Sequence, residues 1–281
     1  MMENRNEIII TPKRGLLDLR LREVWHYRSL VRMLVRRDFV TYYKQTILGP
    51  LWYLFSPICS TLMYMIVFGS LANIGTDSIP QPLFYFSGTI LWNFFSGTLM
   101  TTGRVFEDNK NLFGKVYFPR VIVPISNTIV AMIKLGIQLA LFLLVFIYYL
   151  VVGEVSVPGI QLALFPLMLL WIIALSLGIG MIISSITSKY KDIAMALSFL
   201  MSLFMYSAPV VYPISELSGK LKLLICLNPV SAPIELFRYS IFGVSEIPLW
   251  SVIYSLVFSV LVLFIGLIVF NRNEQKFIDV I

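Results

Sequence analysis

Apolar residues run along this chain in long blocks, with short polar interruptions between them. A helix crossing about 30 Å of hydrocarbon needs roughly 20 apolar residues at 1.5 Å each. Six segments meet that requirement: Leu51–Ile74, Pro82–Thr102, Val121–Val152, Ile160–Thr187, Ile193–Val211 and Leu249–Phe270. The pattern predicts an all-α membrane protein with six transmembrane helices over residues 51–281, after an N-terminal segment of residues 1–50. Pro166 is a candidate kink in the fourth span.

The polar interruptions are not all simple turns. At 100° per residue, Val24, Tyr27, Leu30, Val31, Leu34 and Val35 share one arc, and His26, Arg28, Ser29, Arg32, Arg36 and Arg37 the other. This pattern predicts an amphipathic interface helix with its apolar arc in the acyl boundary. Its arginines act as a topology anchor or attract an anionic lipid-linked substrate. In the last long loop, Leu221–Leu227 and Val230–Phe242 flank Asn228-Pro229, each too short to span. With prolines at 209, 213, 229 and 233, they predict re-entrant half-helices in preference to one surface helix.

Composition supports the membrane assignment. Of 281 residues, 58% are apolar and 13% charged, against about 25% charged in ordinary soluble domains. The net charge of +7 is read as topology, not nucleic-acid binding. Eighteen of the 22 basic residues fall on one predicted face, three (Lys220, Lys222, Arg238) on the other, and Lys134 inside a span. Positive-inside bias then puts both termini in the cytoplasm. Met1 to Pro50 is charged throughout, and no cleavable signal peptide is expected there. Two cysteines, Cys59 and Cys226, and one histidine, His26, exclude a disulfide framework and multi-histidine metal sites.

The second loop, Gly103 to Arg120, carries a mixed-charge helical turn with Phe106 and Phe113 expected on its surface and Gly114 as a cap. Such a knob suits docking onto a soluble partner; composition alone fits a lipid-touching loop as well. Lys134 is expected to be the only charge inside a span, as a functional group or one that snorkels. In the fourth span, Ala174, Ser176, Gly178, Gly180 and Ser184 read as close helix packing. Aromatic residues crowd the first two spans, most of them as interfacial belts. The deeper Tyr64, Phe68, Phe94 and Phe95 are candidates to line a glycan conduit, because aromatic faces suit the C–H faces of pyranose rings.

No Walker-type nucleotide loop, H-E-x-x-H or G-x-S-x-G occurs, and all fifteen acidic residues fall in predicted loops or tails. No catalytic residue, metal site or cofactor is expected in this chain. A transporter so built draws its energy from another molecule.

Arg37-Asp38 followed by Tyr43-Lys44-Gln45-Thr46-Ile47-Leu48-Gly49-Pro50-Leu51-Trp52, with Pro57 beyond, resembles the first-span entrance of bacterial polysaccharide-exporting ABC transporter permeases. Lys115-Val116-Tyr117-Phe118-Pro119-Arg120 with Pro124, Tyr190-Lys191-Asp192 and Asn228-Pro229 are similar to the same family. The resemblance runs from about Leu17 to the C-terminus, with Lys191 where the family often has Arg. It implies a non-enzymatic inner-membrane homodimer served by two copies of a cytoplasmic ABC ATPase, which holds ATP and Mg. Its implied cargo is a polyprenyl-pyrophosphate-linked glycan, O-antigen, capsule or teichoic acid. It also implies a coupling helix at Arg104–Gly114, with Arg104, Phe106, Glu107, Asp108, Leu112 and Phe113 as coupling residues. Arg28, Arg32, Arg36, Arg37, Lys44, Leu48 and Gly49 would border the lipid pyrophosphate's lateral entrance. A small-lipid or drug exporter on the same scaffold and, more remotely, an intramembrane enzyme acting on polyprenyl-linked sugars are the alternatives.

Overall fold

The computed structural model describes residues 25–44, 47, 49–113 and 118–278. Among them there are helices and connecting turns but no strand. We number the helices α1 (Arg28–Lys44), α2 (Trp52–Tyr64, continued as a π-helix over Met65–Leu71), α3 (Gln81–Gly103) and the short α4 (Val105–Asp108) and α5 (Lys110–Phe113). There follow α6 (Ile122–Val152), α7 (Phe165–Thr187), α8 (Lys191–Phe204), α9 (Gly219–Leu227), α10 (Ser231–Phe242) and α11 (Leu249–Ile278).

A helix occupies each of the six apolar segments, but only four are long and apolar enough to cross a membrane on that criterion alone: Trp52–Leu71, Ile122–Val152, Ile160–Thr187 and Leu249–Asn273. The other two differ for separate reasons. The apolar helix at Asp192–Ser207 is short. Helix α3 is rich in Ser, Thr, Asn and Gly, yet it buries 16 of its 23 residues. It lies at the centre, packed against α2, α6, α7 and α10. A helix wrapped by other helices needs no lipid-like surface, only satisfied polar groups. Ser87, Thr89 and Ser96 are satisfied by donating to the carbonyls of Phe84, Tyr85 and Trp92, at 2.7, 2.7 and 2.8 Å, whereas the buried hydroxyls of Tyr85, Thr98 and Thr102 have no hydrogen-bond partner among the described residues.

Helix α7 is clamped between α3 and α11 through its glycines. A Cβ on Gly178 would lie 2.6 Å from the Leu263 nitrogen, and one on Gly180 2.7 Å from Thr102 Cβ. The small-residue pattern of the fourth span is therefore a packing surface. Pro166 produces no kink: it sits in the first turn of α7, where a missing N–H costs nothing.

Helices α9 and α10 form a hairpin with Asn228-Pro229 at its elbow. Asn228 donates to Ser207 O at 2.8 Å and accepts from the Val230 N–H at 3.1 Å. Ser231 Oγ donates back to Ile225 O at 2.7 Å. The elbow is fastened to α11, where Ser251 Oγ donates to Cys226 O and Ser255 Oγ to Pro229 O, at 2.6 and 2.5 Å. One turn on, Ser259 Oγ accepts the Trp171 indole N–H of α7 at 2.8 Å.

Lys134 is not the only interior charge. Helix α10 buries nine of its 12 residues, including Glu235 and Arg238, whose side chains are 4% and 2% exposed and paired at 2.8 Å. The Arg238 guanidinium lies 3.7 Å above the Phe84 ring and donates to Pro209 O at 2.7 Å, Val210 O at 3.2 Å and Ser87 Oγ at 3.3 Å.

Removing one partner of a buried pair strands the other charge, at a cost of about 3–5 kcal/mol, whereas apolar replacement of both is far milder. Glu235→Leu alone should therefore lower the melting temperature in detergent more than Glu235→Leu with Arg238→Met. Equal losses would show that the pair is not energetically coupled. Gly178→Val should likewise prevent accumulation of monodisperse protein, since the clash is with α11 backbone.

Candidate functional site

The second loop starts where α3 ends. Thr187 Oγ1 donates to Gly103 O at 2.6 Å, and Arg104 Nη2 donates to Ala194 O in α8 at 2.6 Å. The chain then turns through α4 and α5, and here the structure corrects the expected surface knob. Phe106 is 1% exposed and Phe113 8%. Phe106 stacks on Phe270 of α11 with centroids 4.9 Å apart, and Phe113 lies 6.0 Å from Phe106 and 5.8 Å from Phe118. The guanidinium of buried Arg120 sits 5.1 Å from the Phe113 centroid. Leu34, Val105, Ile122, Val123 and Met181 complete this cluster, with Leu112 partly buried against it. The phenylalanines point inward because α1, α6, α7 and α11 all end around this loop and offer it an apolar socket.

The loop's exposed side is polar, with Glu107, Asp108 and Lys110 open to solvent. Partial withdrawal from water pushes the Asp108 carboxyl above its usual range; Arg104 opposes this and Glu107 adds to it. The expected cap Gly114 and the run Lys115–Tyr117 lie outside the described residues.

Helix α1 also differs from expectation. Its apolar arc does not lie free for lipid: Leu34 is 1% exposed, and Tyr27, Leu30 and Val31 pack against the second-loop cluster. Burial against protein wins because the cluster offers close-packed partners along that arc. The other arc is open, with Arg28, Arg32, Arg36, Arg37 and Lys44 exposed. Arg37 Nε is engaged by Asp38 at 2.7 Å. Gly49 has φ +53, a left-handed conformation suited to glycine, just before α2. Leu48 lies outside the described residues, as does Val24.

Between α1, α2, α3, α6 and the second loop lies a cleft of about 450 Å³. Helix α2 contributes Trp52, Tyr53 and Ser56; α3 contributes Asn93, Phe94 and Thr101. Asn127, Lys134 and Gln138 come from α6, Asp108 and Asn109 from the loop, and Arg37 and Asp38 from α1. Half-buried Lys134 holds its ammonium 5.1 Å from the Tyr53 ring centroid. Gln138 Nε2 donates to Tyr53 O at 3.2 Å, fixing α6 to α2.

The four conduit candidates are not brought together. Phe94 is buried at the cleft. Phe95, 1% exposed, is enclosed in the core beside Trp92, because α3 is packed all round. Tyr64 and Phe68 lie together, 6.0 Å apart, and the Tyr64 hydroxyl donates to Met205 Sδ at 3.2 Å. Sequence reasoning also missed the cleft's amides, which carry no motif, and the Glu235–Arg238 pair. The i, i+3 spacing of opposite charges inside an apolar stretch was the signal for the pair.

The ABC-2 type transporter family matches residues 29–242 of the chain. That span runs from α1 to the last residue of α10 and takes in the loop, the cleft and the hairpin. The chain belongs to the ABC-2 type transporter membrane family. Among curated relatives, an O-antigen export system permease protein RfbA of Myxococcus xanthus is 28% identical over 75% of this chain and 79% of its own length. A Klebsiella pneumoniae protein of the same name is 23% identical over 90% and 95%. The polysialic acid transport protein KpsM of Escherichia coli is 24% identical over 87% and 93%.

The socket geometry in this ABC-2 chain sets a test. Phe106→Asp places a carboxylate against Phe270, at a cost of several kcal/mol, and should abolish recovery of monodisperse protein in size-exclusion chromatography. Phe106→Leu should be recovered normally. If Phe106→Asp behaved like wild type, the buried position would be wrong.

Proposed function

We propose that the chain is the membrane-spanning permease subunit of an exporter that moves a lipid-linked polysaccharide, O-antigen-type, across the inner membrane. The observation that carries this reading is family membership joined to relatives named as O-antigen permeases, matched over up to 90% of this chain. Similarity to KpsM supports capsule-type polysaccharide as the second reading of the cargo.

In this reading α2, α3, α6, α7, α8 and α11 are the six spans, with both termini in the cytoplasm. The buried Ala208–Val211 segment extends the reach of short α8. Helices α9 and α10 form the re-entrant pair on the outer side. Two copies of the chain work with two copies of a cytoplasmic ATPase that binds ATP and Mg, and the permease itself carries no catalytic site. The polyprenyl pyrophosphate of the cargo approaches the exposed arginines of α1 and Lys44.

The second loop supports a specific division of labour. Glu107 and Lys110 are exposed and receive the ATPase by charge complementarity. Phe106 and Phe113 are embedded among α1, α6, α7 and α11, so a displacement of the loop moves these helices together. The phenylalanines transmit force; the charges select the partner.

Reversing both exposed charges, Glu107→Arg with Lys110→Glu, should leave melting unchanged and abolish both co-purification of the ATPase and glycan export in reconstituted vesicles. Retained export would overturn the docking assignment. ATP hydrolysis by the purified permease alone would overturn the subunit reading itself.

A further inference from the structure

The cleft beneath α1 has a chemistry that differs from the basic surface beside it. An anion trap needs surplus positive charge, yet the two cations here, Arg37 and Lys134, are matched by two carboxylates, Asp38 and Asp108. Arg37 is already engaged by Asp38 at 2.7 Å. What distinguishes the lining is amides beside aromatic rings: Asn93, Asn109, Asn127 and Gln138 with Trp52 and Phe94. Amides offer a donor and an acceptor on one rigid plane, which suits vicinal hydroxyls, and the rings suit a face of C–H groups. The volume of about 450 Å³ falls within the roughly 300–1,000 Å³ of small-molecule sites.

The scaffold holds these groups in place before any ligand arrives. Gln138 and Asn109 donate to the carbonyls of Tyr53 and Val105 at 3.2 and 3.1 Å. Each amide therefore presents its oxygen away from that bond, and neither oxygen accepts a protein hydrogen bond among the described residues. Tyr53 is buried, and its ring 5.1 Å from the Lys134 ammonium places that donor at the cleft.

We infer that this cleft is a saccharide-binding site within a single protomer, with Asn127, Lys134 and Gln138 hydrogen-bonding sugar hydroxyls and Trp52 and Phe94 flanking the ring. The inference rests on the polysaccharide reading above and adds a consequence. Asp108 and Asn109 of the second loop form one wall, so the sugar and the ATPase contact the same short segment. Occupancy of the cleft then biases the loop, and cargo stimulates hydrolysis through it.

The test uses the permease–ATPase complex in nanodiscs with N-acetylglucosamine as one probe and inorganic pyrophosphate as the other. Saturation-transfer NMR should detect the sugar on wild type, and Lys134→Met and Asn127→Leu should each weaken it about 3- to 10-fold, the worth of one hydrogen bond. Both variants are checked for wild-type melting; Asn127 is half exposed, so it serves if Lys134→Met misfolds. Pyrophosphate line broadening in ³¹P spectra should not depend on Lys134. Pyrophosphate binding that is lost in Lys134→Met, with no sugar signal, would overturn the saccharide assignment in favour of a phosphate site. Absence of both signals would overturn the site altogether. Vesicle export of glycan is scored in parallel: wild type that exports while both variants match it in sugar binding and export sinks only this inference. Wild type that exports no glycan sinks the function on which it rests.

Discussion

Arg238 is buried in the second half of α10 and bonded to three separate pieces of chain, and the architecture around it follows from keeping that charge satisfied. Its guanidinium takes Glu235 from its own helix, the carbonyls of Pro209 and Val210 after α8, and Ser87 of α3. Phe84 supplies a ring face at 3.7 Å. Gly88 keeps room for the arrangement, since a Cβ there would meet Arg238 Nη2 at 2.9 Å and Val210 O at 2.8 Å. A guanidinium removed from water is tolerated only with its donors used and its charge countered. The α10 helix, the start of α3 and the segment after α8 are therefore held as one body.

At the other end of the molecule the organising contact is apolar. The second loop is anchored by phenylalanines from α4 and α5 that sit against α11 and beneath α1. The same loop supplies a wall of the cleft, with Asp108 and Asn109 facing it and Phe106 facing the socket. Exposed charges, a wall of the cleft and a buried aromatic core thus share a segment of about ten residues, so nothing can shift one of them without the others.

Much of the fold was legible because membrane crossing imposes a coarse rule of length and apolarity. The helix pair around Asn228-Pro229 was readable for a local reason: proline ends one helix and an Asn side chain caps the turn. Apart from Pro166, whose place in the first turn of α7 depends on a helix boundary, the misreadings concern what a side chain faces. Phe106 and Phe113 lie in a short charged stretch, and nothing local announces that Phe270, far along the chain, closes over them. The arc of α1 looked fit for lipid because periodicity reports amphipathicity, not the identity of the apolar neighbour. Helix α3 carries too many hydroxyls and amides to look lipid-facing, and central burial is the reason. The cleft was invisible because its polar groups come from five separate segments.

Helix α11 joins these two ends. Phe270 stacks on Phe106 in the loop socket, while Ser251, nineteen residues earlier, hydrogen-bonds the elbow of the α9–α10 hairpin. At 1.5 Å per residue that separation is about 28 Å, close to the roughly 30 Å of a bilayer's hydrocarbon. The helix is unbroken over this distance, and an α-helix is stiff along its axis. A displacement at one end of such a rod is carried to the other, with no joint between to absorb it.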